Sequence, residues 1–279
     1  MAVKIITDSA SDLTPEIAAE LGVTIVPIHI SFGSETYRDG VDLSTEEFYQ
    51  KLVQNKTLPT TAAPAPGTFA EVYDKLAEET DEILAIIISA KYSATHEAAV
   101  EGKELRKSKS RLEIIDSFSA VAGLGLIVIS AAKAAQTGTR IDEVIDVTHR
   151  SMRLVDMRMA FDTLEYLRRG GRIGAAQAFL GSMLKLNPVL TIKDGETYPV
   201  ARERCRAKTI DHLYNFVMGF PDIDEMAIED VSTPDDAEIL MERLNSKFPK
   251  ERIYRTKVSP AVGAHVGPHV LAVGVLPKR

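Results

Sequence analysis

Residues 83–88 read Ile83-Leu84-Ala85-Ile86-Ile87-Ile88 and run directly into Ser89-Ala90-Lys91-Tyr92-Ser93. An apolar run with no alternation suits a strand covered on both faces, as at the centre of a parallel sheet. A polar loop follows, then a helix starting near Ala94, so the unit is strand, loop, helix. It recurs on the N-terminal side, where the strand Val3 to Thr7 leads into Asp8-Ser9-Ala10-Ser11-Asp12. Thr14-Pro15-Glu16 then supplies an N-cap, a first-turn proline and a first-turn acid.

Val23 to Ile30 reads as another strand, and Ser44 with Glu47 makes a capping box opening a helix to about Asn55. Between Leu58 and Gly67 the prolines Pro59, Pro64 and Pro66 forbid helix and predict an extended loop carrying Thr60 and Thr61. A helix over 68–79, the strand Leu112 to Ile115 and helices over 120–136 and 141–151 continue the alternation. In a parallel sheet of this kind the loops after the strands converge on one edge, where Thr61 and Ser93 are expected to meet.

Past Met152 the pattern changes. A strand from Leu154 to Phe161 precedes helices over 163–168 and 173–184, separated by Gly170-Gly171. Pro188 to Ile192 and Thr197 to Ala201 flank Lys193-Asp194-Gly195-Glu196, a hairpin with Asp-Gly at its turn. Helix 204–217, strand 226–231, helix 234–247, strand 252–257 and a last strand near 270–275 complete the chain. The expected fold is therefore α/β, with an N-terminal parallel-sheet domain over 1–153 and a C-terminal mixed-sheet domain over 154–279.

The length of 279 residues, with 45% hydrophobic and 26% charged, is that of a globular two-domain chain. The longest apolar stretch, Ala120 to Ala132, is too short to span a bilayer. The N-terminus lacks a secretory cleavage pattern, so a cytoplasmic location is expected. Cys205 is the only cysteine, which excludes an internal disulfide and a cysteine-based zinc site. A net charge of -7 with only a short basic run from Lys103 to Arg111 argues against nucleic-acid binding.

Enzyme signatures are sparse: there is no phosphate loop, no nucleophile elbow and no His-Glu-x-x-His. Gly123-Leu124-Gly125 lacks a third glycine and reads as a helix-packing site. Thr61 and Ser93 each place a hydroxyl where a small anion could be reached; the plainer alternatives are a turn residue and a helix N-cap. His265, in Gly263-Ala264-His265-Val266-Gly267-Pro268-His269, is expected on a loop because Gly267-Pro268 opposes helix. No metal is expected, since no carboxylate accompanies His265 and His269. Arg168, Arg169, Arg172, Arg202, Arg204 and Arg206 make a basic cluster, either a solvated face or a docking surface.

These residues together resemble the DegV family, the group that includes the fatty-acid-binding subunit of bacterial fatty acid kinase. The resemblance is carried by Ile6-Thr7-Asp8-Ser9 with Ser11-Asp12-Leu13, by Asp39-Gly40, by Pro59-Thr60-Thr61 through Pro66-Gly67, and by Ile88-Ser89 with Ser93. Its densest part is Leu164-Glu165-Tyr166-Leu167-Arg168-Arg169-Gly170-Gly171-Arg172-Ile173, continued by Leu186-Asn187-Pro188-Val189-Leu190 and by Gly263 to Pro268. It spans the whole chain.

The resemblance implies a long-chain fatty acid with its tail in the C-terminal lipid-binding domain and its carboxylate near the domain junction. Thr61 and Ser93 match carboxylate-binding hydroxyls, His265 a supporting histidine, imagined here as partly protonated, and Arg202 a basic position by the head group. A separate ATP-dependent kinase subunit would phosphorylate the carboxylate for phospholipid synthesis, so this chain would be a carrier, not an enzyme, and would need no cofactor. Arg168, Arg169, Arg172 and Arg202 are the expected kinase contacts, and transient membrane contact is compatible with such a carrier. The contrasting readings are histidine-dependent phosphotransfer or hydroxy-ketone binding through His265, and a lipid-sensing regulator. Ala62 and Ala63 depart from the Ser and Gln frequent in the family, and Ala94 and His269 from glycine.

Overall fold

The computed structural model describes residues 2–55, 57–182 and 186–278. In the N-terminal part, β1 (Lys4–Asp8) leads through a short 3₁₀ turn to α1 (Pro15–Leu21), β2 (Val23–Val26), β3 (His29–Phe32) and β4 (Glu35–Arg38). Then come α2 (Thr45–Gln54), β5 (Thr60–Ala62), α3 (Pro66–Leu76), β6 (Glu82–Ile87), α4 (Thr95–Leu105) and β7 (Arg111–Asp116). Helices α5 (Val121–Gln136) and α6 (Ile141–Leu154) follow. The helix starts behave as their sequences suggest: Thr14 Oγ1 accepts from Ile17 N–H at 3.3 Å, and Ser44 and Glu47 cap α2 reciprocally.

The C-terminal part opens with β8 (Asp156–Ala160), α7 (Glu165–Arg169) and a 3₁₀ helix over Gly174–Ser182. The end of the helix expected over 173–184 lies outside the described residues. Next come β9 (Asn187–Lys193), β10 (Glu196–Glu203), α8 (Arg206–Met218), β11 (Ile223–Asp230), α9 (Pro234–Leu244), β12 (Ile253–Lys257), α10 (Pro260–Val266) and β13 (Leu271–Pro277). Asp194 and Gly195 at the β9–β10 turn have φ of 51° and 83°, the pair of positive values that a type I′ hairpin requires.

The N-terminal part is built on a parallel sheet in the order β2-β1-β6-β7, and the C-terminal part on a mixed sheet in the order β10-β9-β8-β13-β11-β12. A small antiparallel sheet, β4-β3-β5, stands beside them. The α/β architecture with these two sheet types is the one expected.

Helix α5 lies between the two large sheets and is apolar around nearly its whole circumference, as a doubly covered helix must be. A Cβ on Gly125 would come 2.6 Å from the Ser11 carbonyl oxygen, and one on Gly274 of β13 would come 2.8 Å from Ala122 Cβ. Gly123 and Gly125 are thus close-packing positions, as their sequence suggested. Helices α8 and α9 cover the outer face of the mixed sheet through Leu213, Val217, Leu240 and Leu244.

Three local expectations are corrected. Residues 60–62 are a strand, not a loop: the prolines only flank them, so their N–H groups are free, and Thr61 pairs with Ile30. The run Val23 to Ile30 is two strands in different sheets, because Pro27 has no N–H and interrupts pairing. His265 is on helix α10; Gly267, at φ 74°, and Pro268 stop that helix after the histidine instead of preventing it.

Candidate functional site at the junction of the two sheets

A cavity lies between the two parts, with about 650 Å³ of atom-free space that is partly open to solvent. The carboxyl ends of the parallel strands supply one side, through Ala10 after β1, Ile88 after β6 and Val121 after β7. Met159 and Phe161 of the β8 segment and Ile192 of β9 supply the other. The apolar space is therefore shared by both halves of the chain, not enclosed by the second alone. This follows from local structure: each strand ends in a polar loop at the same edge of its sheet, and the mixed sheet closes over that edge.

Thr61, Ser93 and His265 all line this cavity. The edge strand β5 brings Thr61, the β6–α4 loop brings Ser93, and α10 brings His265. Thr61 Oγ1 and His265 Nε2 are 2.8 Å apart. Ser93 Oγ accepts from Thr95 N–H at 3.3 Å and meets Thr95 Oγ1 at 2.7 Å, so it turns the chain into α4, with Ala94 at the N-cap position.

The His265 ring is pushed down to a pKa of about 4, first by loss of water and then by the Arg172 guanidinium. It is neutral at neutral pH, which corrects the expectation of a partly protonated histidine. Its Nδ1 has no hydrogen-bond partner among the described residues and packs against Gly170. A bare lone pair is tolerated there better than an orphan N–H, which assigns the proton to Nε2. His265 then donates to Thr61 Oγ1, and the threonine hydroxyl proton is left to donate to something else.

The arginines separate into different environments. Arg172 is on the cavity wall, where Nε donates to the Tyr92 carbonyl at 3.0 Å and Nη1 to the Gly170 carbonyl at 2.6 Å. Arg202 is exposed and outside the cavity lining; it stacks 4.1 Å from the Phe179 ring centroid and donates to the Ala178 carbonyl at 3.3 Å. Arg168 and Arg169 both hold Glu165, at 2.7 and 2.5 Å, and keep its carboxyl down at a pKa of about 2. Arg206 is committed to Asp236 at 2.7 Å. The basic cluster is thus partly neutralised, with Arg172 turned inward.

Two wall residues escaped the sequence reading. Tyr92 OH meets Thr197 Oγ1 at 3.0 Å, and Thr197 Oγ1 donates to the Arg172 carbonyl at 2.8 Å. Tyr92 lay beside Ser93 in the quoted loop, and Thr197 opposes Ile192 across the hairpin, which is the only signal either carried. His265 and His269 do not pair, and no group of His, Cys, Asp or Glu among the described residues is arranged to hold a metal ion. No helix among them is long and apolar enough to cross a membrane.

The model of the DegV family, described as an uncharacterised protein family, matches residues 2–278. A DegV domain-containing protein of Caldanaerobacter subterraneus is 33% identical over 275 residues, covering 97% of each chain. A DegV family protein of Thermus thermophilus, whose structure is described by its fatty acid binding, superposes over all of both chains with a TM-score of 0.91 and 31% identity. DegV of Bacillus subtilis, described as a fatty acid binding protein, gives 0.89 and 26%, again over the whole of both chains. With a family match from its second residue to its second-last, and a full-length relative sharing a third of its residues, this chain belongs to the DegV family.

Proposed function

We propose that this protein binds a long-chain fatty acid in the cavity between the sheets and holds its carboxylate with Thr61 and Ser93, supported by His265. The observation that carries this reading is the Thr61–His265 bond in the wall of a predominantly apolar cavity. Burial of a long acyl chain contributes roughly 0.8 kcal/mol per methylene, on the order of 10 kcal/mol in total before binding costs. The carboxylate adds little by itself, because it must be compensated for lost water. Hydroxyl donors do this without fixing a permanent charge, and the neutral His265 aims one of them. The fatty-acid-binding descriptions of the Thermus thermophilus and Bacillus subtilis relatives support the same ligand class.

On this reading residues 1–153 and 154–279 act as two domains that close on the ligand. The protein is a cytoplasmic carrier that presents the acid to a separate ATP-dependent fatty acid kinase and holds fatty acid or acyl phosphate for phospholipid synthesis. The exposed Arg168, Arg169 and Arg202 are the proposed kinase contacts, while Arg172 serves the cavity wall. A covalent role for His265 is less well supported, since Nε2 is engaged by Thr61 and Nδ1 faces Gly170. Native mass spectrometry after gentle purification, followed by organic extraction, tests the proposal. A fatty acid released in near-equimolar amount is expected; an empty protein that takes up no added fatty acid would refute it.

A further inference from the structure

Four carboxylates are buried behind the cavity wall: Asp8, Asp12, Asp39 and Glu229 are each at most 5% exposed. All four accept backbone N–H bonds from wall residues or their near neighbours. Asp8 accepts from Ala10 at 2.9 Å and Ile88 at 2.8 Å, Asp12 from Ser259 at 3.0 Å, Asp39 from Ala261 at 3.2 Å, and Glu229 from Ala122 at 3.0 Å. Burying an acid group is costly unless it is hydrogen-bonded, and these backbone bonds meet part of that cost.

Asp39 occupies the most informative position of the four. Its own N–H donates to the Ile28 carbonyl at 2.9 Å, at the start of β3, the strand against which β5 places Thr61. Its carboxylate receives the Ala261 N–H, in the first turn of α10, the helix that carries His265. One residue thus ties the element bearing Thr61 to the element bearing His265. Helix α10 has seven residues, about 10 Å of rise, too short to hold its own orientation. Asp12 holds the same helix by accepting the Ser259 N–H at its N-terminus.

Resting on the carboxylate site proposed above, we infer that Asp39, assisted by Asp12, is a positioning residue that sets the Thr61–His265 contact and through it the recognition of the ligand's acid group. It does not touch the ligand. Its influence passes along α10 to the imidazole, whose Nε2 proton orients the Thr61 hydroxyl.

The test compares palmitate with hexadecanol, which has the same chain and no acid, in each variant. Because the readout is a ratio of two affinities in one protein, a general loss of stability cancels. Asp39→Ala should lower the acid-over-alcohol preference about tenfold, as for loss of one well-placed hydrogen bond. Asp39→Asn keeps an oxygen for the Ala261 N–H and should stay within about twofold of wild type. In a His265→Ala background, Asp39→Ala should have no further effect on the ratio. A wild-type ratio in Asp39→Ala, or an effect that persists without His265, overturns the inference. Should Asp39→Ala fail to fold, Asp12→Ala is read in the same way. Nitrogen NMR of the ligand-free protein gives a second readout: the His265 Nε2 resonance should move in Asp39→Ala, and an unmoved one counts against the inference. If wild type shows no preference for the acid, the carboxylate site itself is refuted, whereas the imidazole readout still reports on Asp39.

Discussion

His265 Nε2 and Thr61 Oγ1 lie 2.8 Å apart although 204 positions separate them in the chain. The bond joins the small antiparallel sheet to helix α10 in the cavity wall, and it leaves one hydroxyl proton free to meet an acid. Thr61→Val keeps the shape, removes that donor and strands the histidine N–H. Its affinity for palmitate should fall by about tenfold or more, the cost of an unpaired buried donor plus a lost ligand bond. Isothermal titration against wild type measures it, and an unaltered affinity would mean that Thr61 is only a strand residue.

Replacement of the arginines should give opposite results at the two depths. Arg202→Glu should leave fatty acid retention intact and impair phosphorylation by the proposed kinase partner, because Arg202 lies outside the cavity lining. Arg172→Glu should lower retention itself, since it puts a carboxylate in the wall beside the ligand's acid group. Co-purified lipid and label transfer to acyl phosphate, measured on both variants, distinguish the two roles.

Stability should rise as pH falls from 8 toward 5. Burial raises Asp39 from 3.8 to about 7, Asp8 from 3.8 to about 6 and Glu229 from 4.5 to about 7. For a carboxyl raised in this way, the folded state binds the proton more tightly, so its contribution is full below the unfolded value and is lost as pH climbs through the folded one. His265 acts the other way: its pKa of about 4 against 6.5 makes the folded state lose stability as pH drops through that interval. Burial and the neighbouring Glu229 also push Asp12 up, so four acids against one imidazole leave the net slope with the acids. Thermal unfolding between pH 5 and 8 checks the sign, and Asp39→Asn should flatten the slope and melt higher than wild type at pH 8.

Gly125→Ala should destabilise the fold without touching the ligand. The added methyl would approach the Ser11 backbone at 2.6 Å, and backbone cannot move aside as a flexible side chain can. A loss of about 1–3 kcal/mol is expected from overpacking of this kind. Urea unfolding measures it; a neutral result would show that α5 and the turn at Ser11 can separate.

Local chemistry was readable where the cause is local. An unbroken apolar run over 83–88 is a parallel core strand because no polar side chain asks for water on either face. Asp194-Gly195 makes a type I′ turn because both positions tolerate positive φ, and Ser44 with Glu47 starts a helix because their side chains satisfy orphan N–H groups. The residue types of the candidate site, two hydroxyls and a histidine, could be picked out of the sequence for the same reason.

Other features depended on neighbours far along the chain. Strand status for Thr60–Ala62 needed β3 as a pairing partner, and the protonation of His265 needed the burial that α10 receives when the two sheets close. The inward turn of Arg172, unlike the outward Arg202, came from the Tyr92 carbonyl, 80 positions away in the chain. Hydrogen-bond capacity and apolarity belong to each residue alone and are written in order along the chain. Desolvation and contact arise only when distant segments exclude water together, and that exclusion is what brings Thr61 and His265 into one cavity wall.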